Sequence, residues 1–369
     1  MKYYLIAGEA SGDLHGSNLI VQMHLLDNAA NIRCWGGAMM ETAGATVAKD
    51  YRDLAFMGFV EVVMNLKTIL RNIKFCKRDI LDFAPDILVL IDYPGFNLRI
   101  AKWAKQQGIK TVYYISPQIW AWKENRVQGI KKFVDKMIVI LPFEKAFYKR
   151  WDYDVDYVGH PLVEVIDNFK AANRTSVDTT KKIIALLPGS RKQEISIKLP
   201  VMLEVTKSFP QYQFIVAKAP GQDDAFYEPF LAPYGNVSAM GGKTYNLLNM
   251  AAAALVTSGT ATLETALFGV PEVVCYKGHA LSYRIAKWVI KVKYISLVNL
   301  IMDKPVVKEL IQHEMNAKNC ISELKQLLEN TERQQQLQHD YTALKNLLSQ
   351  GGNASYNAAK IVVDFAFAN

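Results

Sequence analysis

The chain has 369 residues, 50% of them hydrophobic and 21% charged, which is enough for two globular domains of ordinary size. The net charge of +8 favours acidic partners: phosphates, nucleic acid or an anionic membrane face. The four cysteines, at 34, 76, 275 and 320, lie far apart without CxxC spacing, which argues against a zinc site or disulfide framework and suits a reducing cytoplasm.

The N-terminal MKYYLIAGEASGD enters a strand at once, and its apolar run is too short for a secretory signal. Strand-like runs then alternate with helix-like ones. YYLIAG, IRCWGG, DILVLID, KTVYYIS, KMIVIL and VDYVGH form a first series; KIIALLPG, QFIVAKA, AALVTS, PEVVCY and YISLVNL form a second. Several are continuously apolar, as strands covered by helices on both faces should be. The alternation predicts an α/β protein of two Rossmann-like, doubly wound domains facing across a cleft, residues 1–168 and 182–348. The polar stretch 168–182 reads as the linker, and 318–348 as polar helix. After Gly351-Gly352 a last helix, Ala354 to Phe367 within segment 349–369, is apolar enough to need a partner surface. No window of about eighteen residues is apolar and uncharged, so no membrane-spanning helix is expected.

Open α/β sheets bind ligands beyond the carboxyl ends of their strands, so those loops are read for chemistry. AGEASGDLHG (7–16) is a Gly- and Ser-rich turn opening a helix, with Gly8, Ser11 and Gly12 suited to an anion or a close substrate. It lacks GxGxxG spacing; a tight βα turn explains its glycines but explains the carboxylate of Glu9 less well. In LVLIDYPGFNLRIA (88–101), Asp92 ends a strand, where it can act as general base, cap the next helix or pair with Arg99. YYISPQIWAWKENR (113–126) puts Trp120, Trp122, Lys123 and Arg126 together, as an amphiphilic phosphorylated substrate or ordinary aromatic packing would require. In DYDVDY (152–157) the alternate aspartates share one face of a strand, and a solvated face is preferred to a metal clamp. The six histidines show no paired-ligand spacing, so no metal is expected, and no cofactor.

LLPGSRKQE (186–194) ends a strand at Pro188-Gly189, offers Ser190 as a cap and sets Arg191 at the helix entrance, a combination fit for a pyrophosphate. LVTSGTATLETALFGVPEVVCY (255–276) is strand, turn, helix and strand again, with Ser258, Gly259 and Thr260 in the turn and Glu264 in about the first helical turn. The capping-box register fails, since Ala261 stands three residues before Glu264. Two readings stay open: a carboxylate favoured by the helix dipole, or one presented to the vicinal diol of a ribose.

Two segments read as basic amphipathic helices. In 56–80, Lys67, Arg71, Lys74 and Arg78 fall along one face and Leu66, Ile69, Leu70 and Ile73 largely on another. In 281–293, Arg284, Lys287 and Lys291 oppose Leu281, Ile285, Trp288 and Val292. Packing on the sheet explains either helix alone. Both together with the net charge predict a protein held peripherally at an anionic membrane surface. No nucleic-acid motif is present.

AGEASGD, MGFVEVV, IDYPGFN, ISPQIWAW, LPFEKAFY, VGHP, LLPGSRKQEI, SGTATLE and SLVNLI resemble, in order, the motif series of bacterial lipid A disaccharide synthase, from about residue 7 to about residue 310. The resemblance implies a GT-B-like fold with the C-terminal helix returning to the first domain. It implies a UDP-2,3-diacylglucosamine donor, a 2,3-diacylglucosamine 1-phosphate acceptor, and the β-1′,6 lipid A disaccharide 1-phosphate and UDP as products, made at the cytoplasmic face of the inner membrane. By position it assigns Asp92 as the essential acid and candidate base, Arg191 and Glu264 to the nucleotide, and Glu9 and Asn299 to the active site. Where the family reads SLPNL this chain has SLVNL. A UDP-N-acetylglucosamine 2-epimerase, another two-Rossmann glycosyltransferase and a nucleotide-sensing membrane protein are the alternatives. A homodimer by exchange of the C-terminal segment is a further expectation.

Overall fold

In a computed structural model, residues 1–54, 66–173, 182–279, 283, 288 and 292–368 are described. The first apolar runs become strands because each can be covered on both faces: β1 (Lys2–Ala7) is buried from its second residue on and β4 (Ile87–Ile91) throughout. With β2 (Asn31–Gly36), β3 (Thr46–Asp50), β5 (Lys110–Tyr114), β6 (Lys136–Val139) and β7 (Asp156–Tyr157) they form one sheet in the order β3-β2-β1-β4-β5-β6-β7. Every pairing is parallel, so each strand's successor is reached through a crossover. The crossovers carry α1 (Ala10–Leu26), α2 (Ala38–Thr42), α3 (Leu66–Phe83), α4 (Pro94–Gln106), α5 (Arg126–Phe133) and α6 (Glu144–Lys149).

A second parallel sheet runs β10-β9-β8-β11-β12-β13, from β8 (Ile183–Leu187), β9 (Gln213–Lys218), β10 (Val237–Gly241), β11 (Ala251–Thr257), β12 (Glu272–Tyr276) and β13 (Lys308–Ile311). Between α7 (Pro161–Ala172), which precedes β8, and the last strand lie α8 (Lys192–Thr206), α9 (Asp224–Leu231), α10 (Thr244–Met250), α11 (Thr260–Phe268) and α12 (Leu297–Met302). The helices α13 (Ala317–Glu329), α14 (Thr331–Ser349) and α15 (Ala354–Phe367) close the chain. It divides into two compact units, Met1–Pro161 with Leu348–Asn369, and Leu162–Leu347. In each sheet the winding direction reverses once, between β1 and β4 and between β8 and β11. Those reversal points are where the loops at the strand ends separate and leave room for a ligand.

The last helix belongs to the first unit, where α15 packs on α1 through buried Ala354, Ala358, Ala359 and Val362. Its chain arrives by a backbone crossing that only glycine permits: a Cβ on Gly351 would lie 2.3 Å from the amide nitrogen of Gly159. The His160 amide donates to the Leu348 carbonyl at 3.2 Å beside that crossing. The apolar face of α15 is thus covered within its own chain, and exchange between chains is not needed to bury it.

Four local expectations are corrected. YISLVNL is no strand, because Ser296 caps α12 by accepting from the Asn299 amide and turns the segment helical from Leu297. In DYDVDY only Asp156 and Tyr157 pair into the sheet, while Asp152 sits at φ 50 in a turn, so the three aspartates do not share a strand face. The start of the expected linker, up to Ala172, is the end of α7, and 174–181 lies outside the described residues. The strands β3, β10 and β13 were not expected: they are sheet edges, half-exposed, with sequences such as VSAMG and KELI that carry no apolar run.

Candidate active site

In the first unit, two loops at the carboxyl edge of the sheet are held in unusual backbone. Asp92 (φ 44) and Tyr93 (φ 49) are consecutive left-handed residues after β4, and Ile115 (φ 66) follows β5. For non-glycine residues such conformations cost about 1–3 kcal/mol each and persist only where the surroundings impose them. Here the Asp92 amide donates to the Tyr114 carbonyl at 3.0 Å. The Asp92 carbonyl accepts from Asn97 Nδ2 at 2.8 Å and from the Tyr113 hydroxyl at 2.5 Å. Tyr93, not Asp92, takes the N-cap position of α4, and no side-chain cap bond forms there. The Asp92 carboxyl accepts from the amide of that N-cap residue, Tyr93.

The loop after β1 meets it at the reversal point. A Cβ on Gly8 would lie 2.3 Å from Cδ1 of Tyr93, so glycine is what lets the ring sit there. Glu9 is the N-cap residue of α1, in extended backbone and without a side-chain cap bond. Burial, and then the charge of Glu9, push the Asp92 carboxyl up to about 7. A Cβ on Gly12 would lie 3.1 Å from that of Ala7, and Ser11 is exposed beside it. Asp13 is buried and structural: it caps α2 through the amides of Gly37 (2.7 Å) and Met40 (3.1 Å).

The two tryptophans separate. Trp120 is buried, edge-on to Phe143 at 4.9 Å, and its Nε1 donates to Glu144 Oε1 at 3.2 Å. Glu144, 1% exposed, also accepts from the Ile140 and Leu141 amides, and burial pushes its carboxyl up to about 7 against those bonds. Trp122 is 45% exposed, with Lys123 Nζ 4.2 Å and the Arg126 guanidinium 5.4 Å from its ring centre. It offers an apolar face with two cations beside it.

In the second unit the loops after β8 and β11 flank the other reversal point. Gly189 (φ 119) turns the chain, and Arg191, not Ser190, is the N-cap residue of α8. No side-chain cap bond is made there, which leaves Ser190 exposed in the loop and corrects the expectation that it caps. Gly259 (φ 143) is the N-cap residue of α11 and Thr260 its first residue. Ser258 Oγ donates to the Ile295 carbonyl at 2.7 Å. Glu264 is the fifth residue of α11, so it stands in the second turn and the dipole reading loses most of its force. It is half-buried, accepts from the Tyr245 hydroxyl at 3.0 Å, and burial raises its carboxyl above the usual range.

Asn299 is 1% exposed and its amide is committed within the protein: Nδ2 donates to the Val307 carbonyl and to Glu309 Oε1, and Oδ1 accepts from the Val307 amide, each at 2.9 Å. Glu309 takes the Ile295 and Ser296 amides as well, so these residues fix the segment that holds Ser258. Val298 lies inside capped α12 and needs no proline to set its backbone.

Sequence reading missed Glu144, Tyr245 and Lys198. The first had a signal in its place three residues after Leu141, where a side chain can reach back to free amides. Lys198 occupies the apolar stripe of α8 with Ile195, Leu199 and Met202, at spacings that bury it. Tyr245 had none, since nothing local brings it to Glu264. Among the described residues no group of three or more His, Cys, Asp or Glu is placed to hold a metal ion.

On α3 the cations Lys67, Arg71, Lys74 and Arg78 are exposed along one face, over a buried face of Asn72, Cys76 and Ile80. Leu70, Phe75 and Leu81 are 55%, 45% and 52% exposed beside the cations, so Leu70 lies on the outer side, contrary to expectation. Trp288 is 90% exposed; Arg284, Lys287, Lys291 and the MGFVEVV motif lie outside the described residues. No helix among the described residues is long and apolar enough to cross a membrane.

The solved structures of a UDP-GlcNAc 2-epimerase from Neisseria meningitidis bound to UDP-GlcNAc and of the glycotransferase of kitacinnamycin both match with TM-score 0.68. They are 14% and 12% identical, cover 100% of this chain each, and are themselves covered at 100% and 99%. They establish the fold, two Rossmann-like units of the GT-B type. Sequence relatives are closer. A lipid-A-disaccharide synthase of Syntrophus aciditrophicus is 40% identical over 361 residues, 95% of this chain and 94% of its own. One of Coxiella burnetii is 38% identical over 371 residues, 98% of each chain. The family model for lipid-A-disaccharide synthetase matches residues 3–364, and the chain belongs to that family.

Proposed function

We propose that the chain transfers 2,3-diacylglucosamine from UDP to the 6-hydroxyl of 2,3-diacylglucosamine 1-phosphate, inverting the anomeric centre. The products are the β-1′,6-linked lipid A disaccharide 1-phosphate and UDP. The observation that carries the reading is Asp92: a carboxyl fixed in strained backbone at a sheet reversal point, beside Glu9, and raised to about 7. A base is most effective when its proton affinity lies near the working pH. Asp92 takes the proton of the acceptor hydroxyl as that oxygen attacks, and the negative field of Glu9 keeps it a strong enough base to do so.

On the donor side, the loops bearing Ser190 and Arg191 and bearing Ser258, Gly259 and Thr260 carry helix-end amides and a guanidinium, which suit the charge that grows on UDP as it leaves. Glu264 keeps one oxygen on Tyr245 and turns the other to a ribose hydroxyl. Asn299 acts through the segment it holds, not by touching the nucleotide. On the acceptor side, Gly8, Ser11 and Gly12 admit the sugar, and Trp122 with its two cations takes the acyl and phosphate ends; Trp120 supports that loop from below. The cations of α3 with exposed Leu70, Phe75 and Leu81 face an anionic bilayer.

Purified protein mixed with both acylated sugars should release UDP and disaccharide in equal amounts, and do so with a chelator present. An epimerase makes no disaccharide. Asp92→Asn should lower turnover about 10²–10⁴-fold and leave UDP binding intact; a nucleotide sensor would lose nothing by that change. Charge reversal at Lys67, Arg71 and Lys74 should weaken binding to anionic vesicles by about 1 kcal/mol or more per position. Unchanged partitioning of a folded variant removes the membrane surface.

A further inference from the structure

Lys198 is 4% exposed, an uncommon position for an ammonium. It donates to Thr257 Oγ1 and faces Oε2 of Glu194 at 3.8 Å. The other oxygen of Glu194 accepts from Arg191 Nη1 at 3.3 Å. Glu194 lies directly over the turn after β8, where a Cβ on Gly189 would fall 2.7 Å from Oε2. Thr257 is the last residue of β11. Arg191, Glu194, Lys198 and Thr257 thus form a line of side chains joining the two loops of the reversal point.

This arrangement has an electrostatic consequence. The Glu194 contact engages one edge of the Arg191 guanidinium and competes with a diphosphate for it, and a lone Glu194 beside a diphosphate would repel it. A buried ammonium on the far side of Glu194 answers both difficulties. It neutralises the carboxylate, so the guanidinium can turn outward without stranding a negative charge. A methionine would fit the apolar stripe without the cost of desolvating a cation; the lysine is not there for packing.

We propose that Lys198 is a positioning residue for nucleoside diphosphate binding, which acts by taking over the charge of Glu194 when Arg191 moves to the phosphates. The inference rests on the donor reading of the second unit. It goes beyond it by making Glu194 a competitor for Arg191 and Lys198 the group that relieves the competition.

Calorimetric titration with UDP tests it on the full chain, with thermal melting to confirm folding. Lys198→Met should weaken UDP about tenfold, as loss of one charge-assisted contact does. Adding Glu194→Gln should restore affinity to within about threefold of the Glu194→Gln protein alone, since no carboxylate is left to neutralise. A merely structural lysine would show no such rescue. Unchanged affinity in Lys198→Met, or no recovery in a folded double variant, overturns the inference. Should Lys198→Met not fold, Glu194→Gln alone decides: it should bind UDP at least as tightly as the parent, and weaker binding overturns the proposal. Failure of the parent itself to bind UDP would overturn the donor reading, a separate outcome.

Discussion

The ring of Tyr93 occupies the space that a side chain at residue 8 would fill, 2.3 Å from the Cβ position of Gly8 to Cδ1. This contact joins the loop after β1 to the loop after β4 and sets the backbone next to Asp92. Gly8→Ala should push the ring aside and rotate the Asp92–Tyr93 peptide. Overpacking of this kind costs about 1–3 kcal/mol. Turnover should fall about a hundredfold through misplacement of the base, with UDP affinity unchanged because the second unit is untouched. Steady-state kinetics alongside UDP titration checks the split; equal loss of both would mean general unfolding.

The proton affinity of Asp92 gives a pH signature. Its carboxyl is raised to about 7 by burial and by Glu9, and its charged form is the base. Activity should therefore rise with pH through about 7 and level off. Glu9→Gln removes the neighbouring charge, lowers the Asp92 value, and should shift the acid limb of the kcat/KM profile to lower pH. The stability effect has the opposite sense. A carboxyl raised on folding contributes stability below its unfolded value, and loses it as pH climbs through the folded one. Asp92→Asn should thus turn over far more slowly yet be more stable than the parent in alkaline buffer. A limb that does not move in Glu9→Gln would separate Glu9 from the base.

Glu144 governs Trp120. Its two oxygens satisfy the indole and two loop amides, all buried. Glu144→Ala should leave these three donors without partners and cost about 3–9 kcal/mol, at about 1–3 kcal/mol for each unsatisfied group. Thermal melting measures the loss, and a red shift of tryptophan emission reports Trp120 becoming wet. A melting point close to the parent would show that water replaces the carboxylate without penalty.

The contrast between what was readable and what was not follows from range. Strands such as ILVLI and IIALL announce themselves because burial on both faces demands continuous apolar residues. Edge strands lack that demand and stay silent. YISLVNL has a strand's composition but a helix cap at Ser296, and the cap wins. Asp92, Arg191 and Glu264 were legible as residues placed after buried strands. Their electrostatics were not, because Glu9 raises Asp92, Tyr245 holds Glu264 and Thr257 holds Lys198 across distances that only folding closes. The winding reversals that single out the loops after β1, β4, β8 and β11 depend on strand order, which no local pattern encodes.

Glu272 stands at the start of β12, 1% exposed, and neither carboxylate oxygen has a hydrogen-bond partner. Burial raises its proton affinity well above the usual range. The protonated form is therefore the one folding favours, and stability contributed at acid pH should decline as pH rises past the unfolded carboxyl range. Burial is the cause of that raised affinity, and the Tyr341 hydroxyl buried in the same neighbourhood makes no bond to either carboxylate oxygen. Glu272→Gln removes the ionisation and keeps the shape. It should raise the melting temperature in mildly alkaline buffer and change it little in mildly acid buffer. A gain equal at both pH values would mean that packing, not ionisation, sets the effect. A loss at alkaline pH would mean that folding stabilises the carboxylate, and would overturn the prediction.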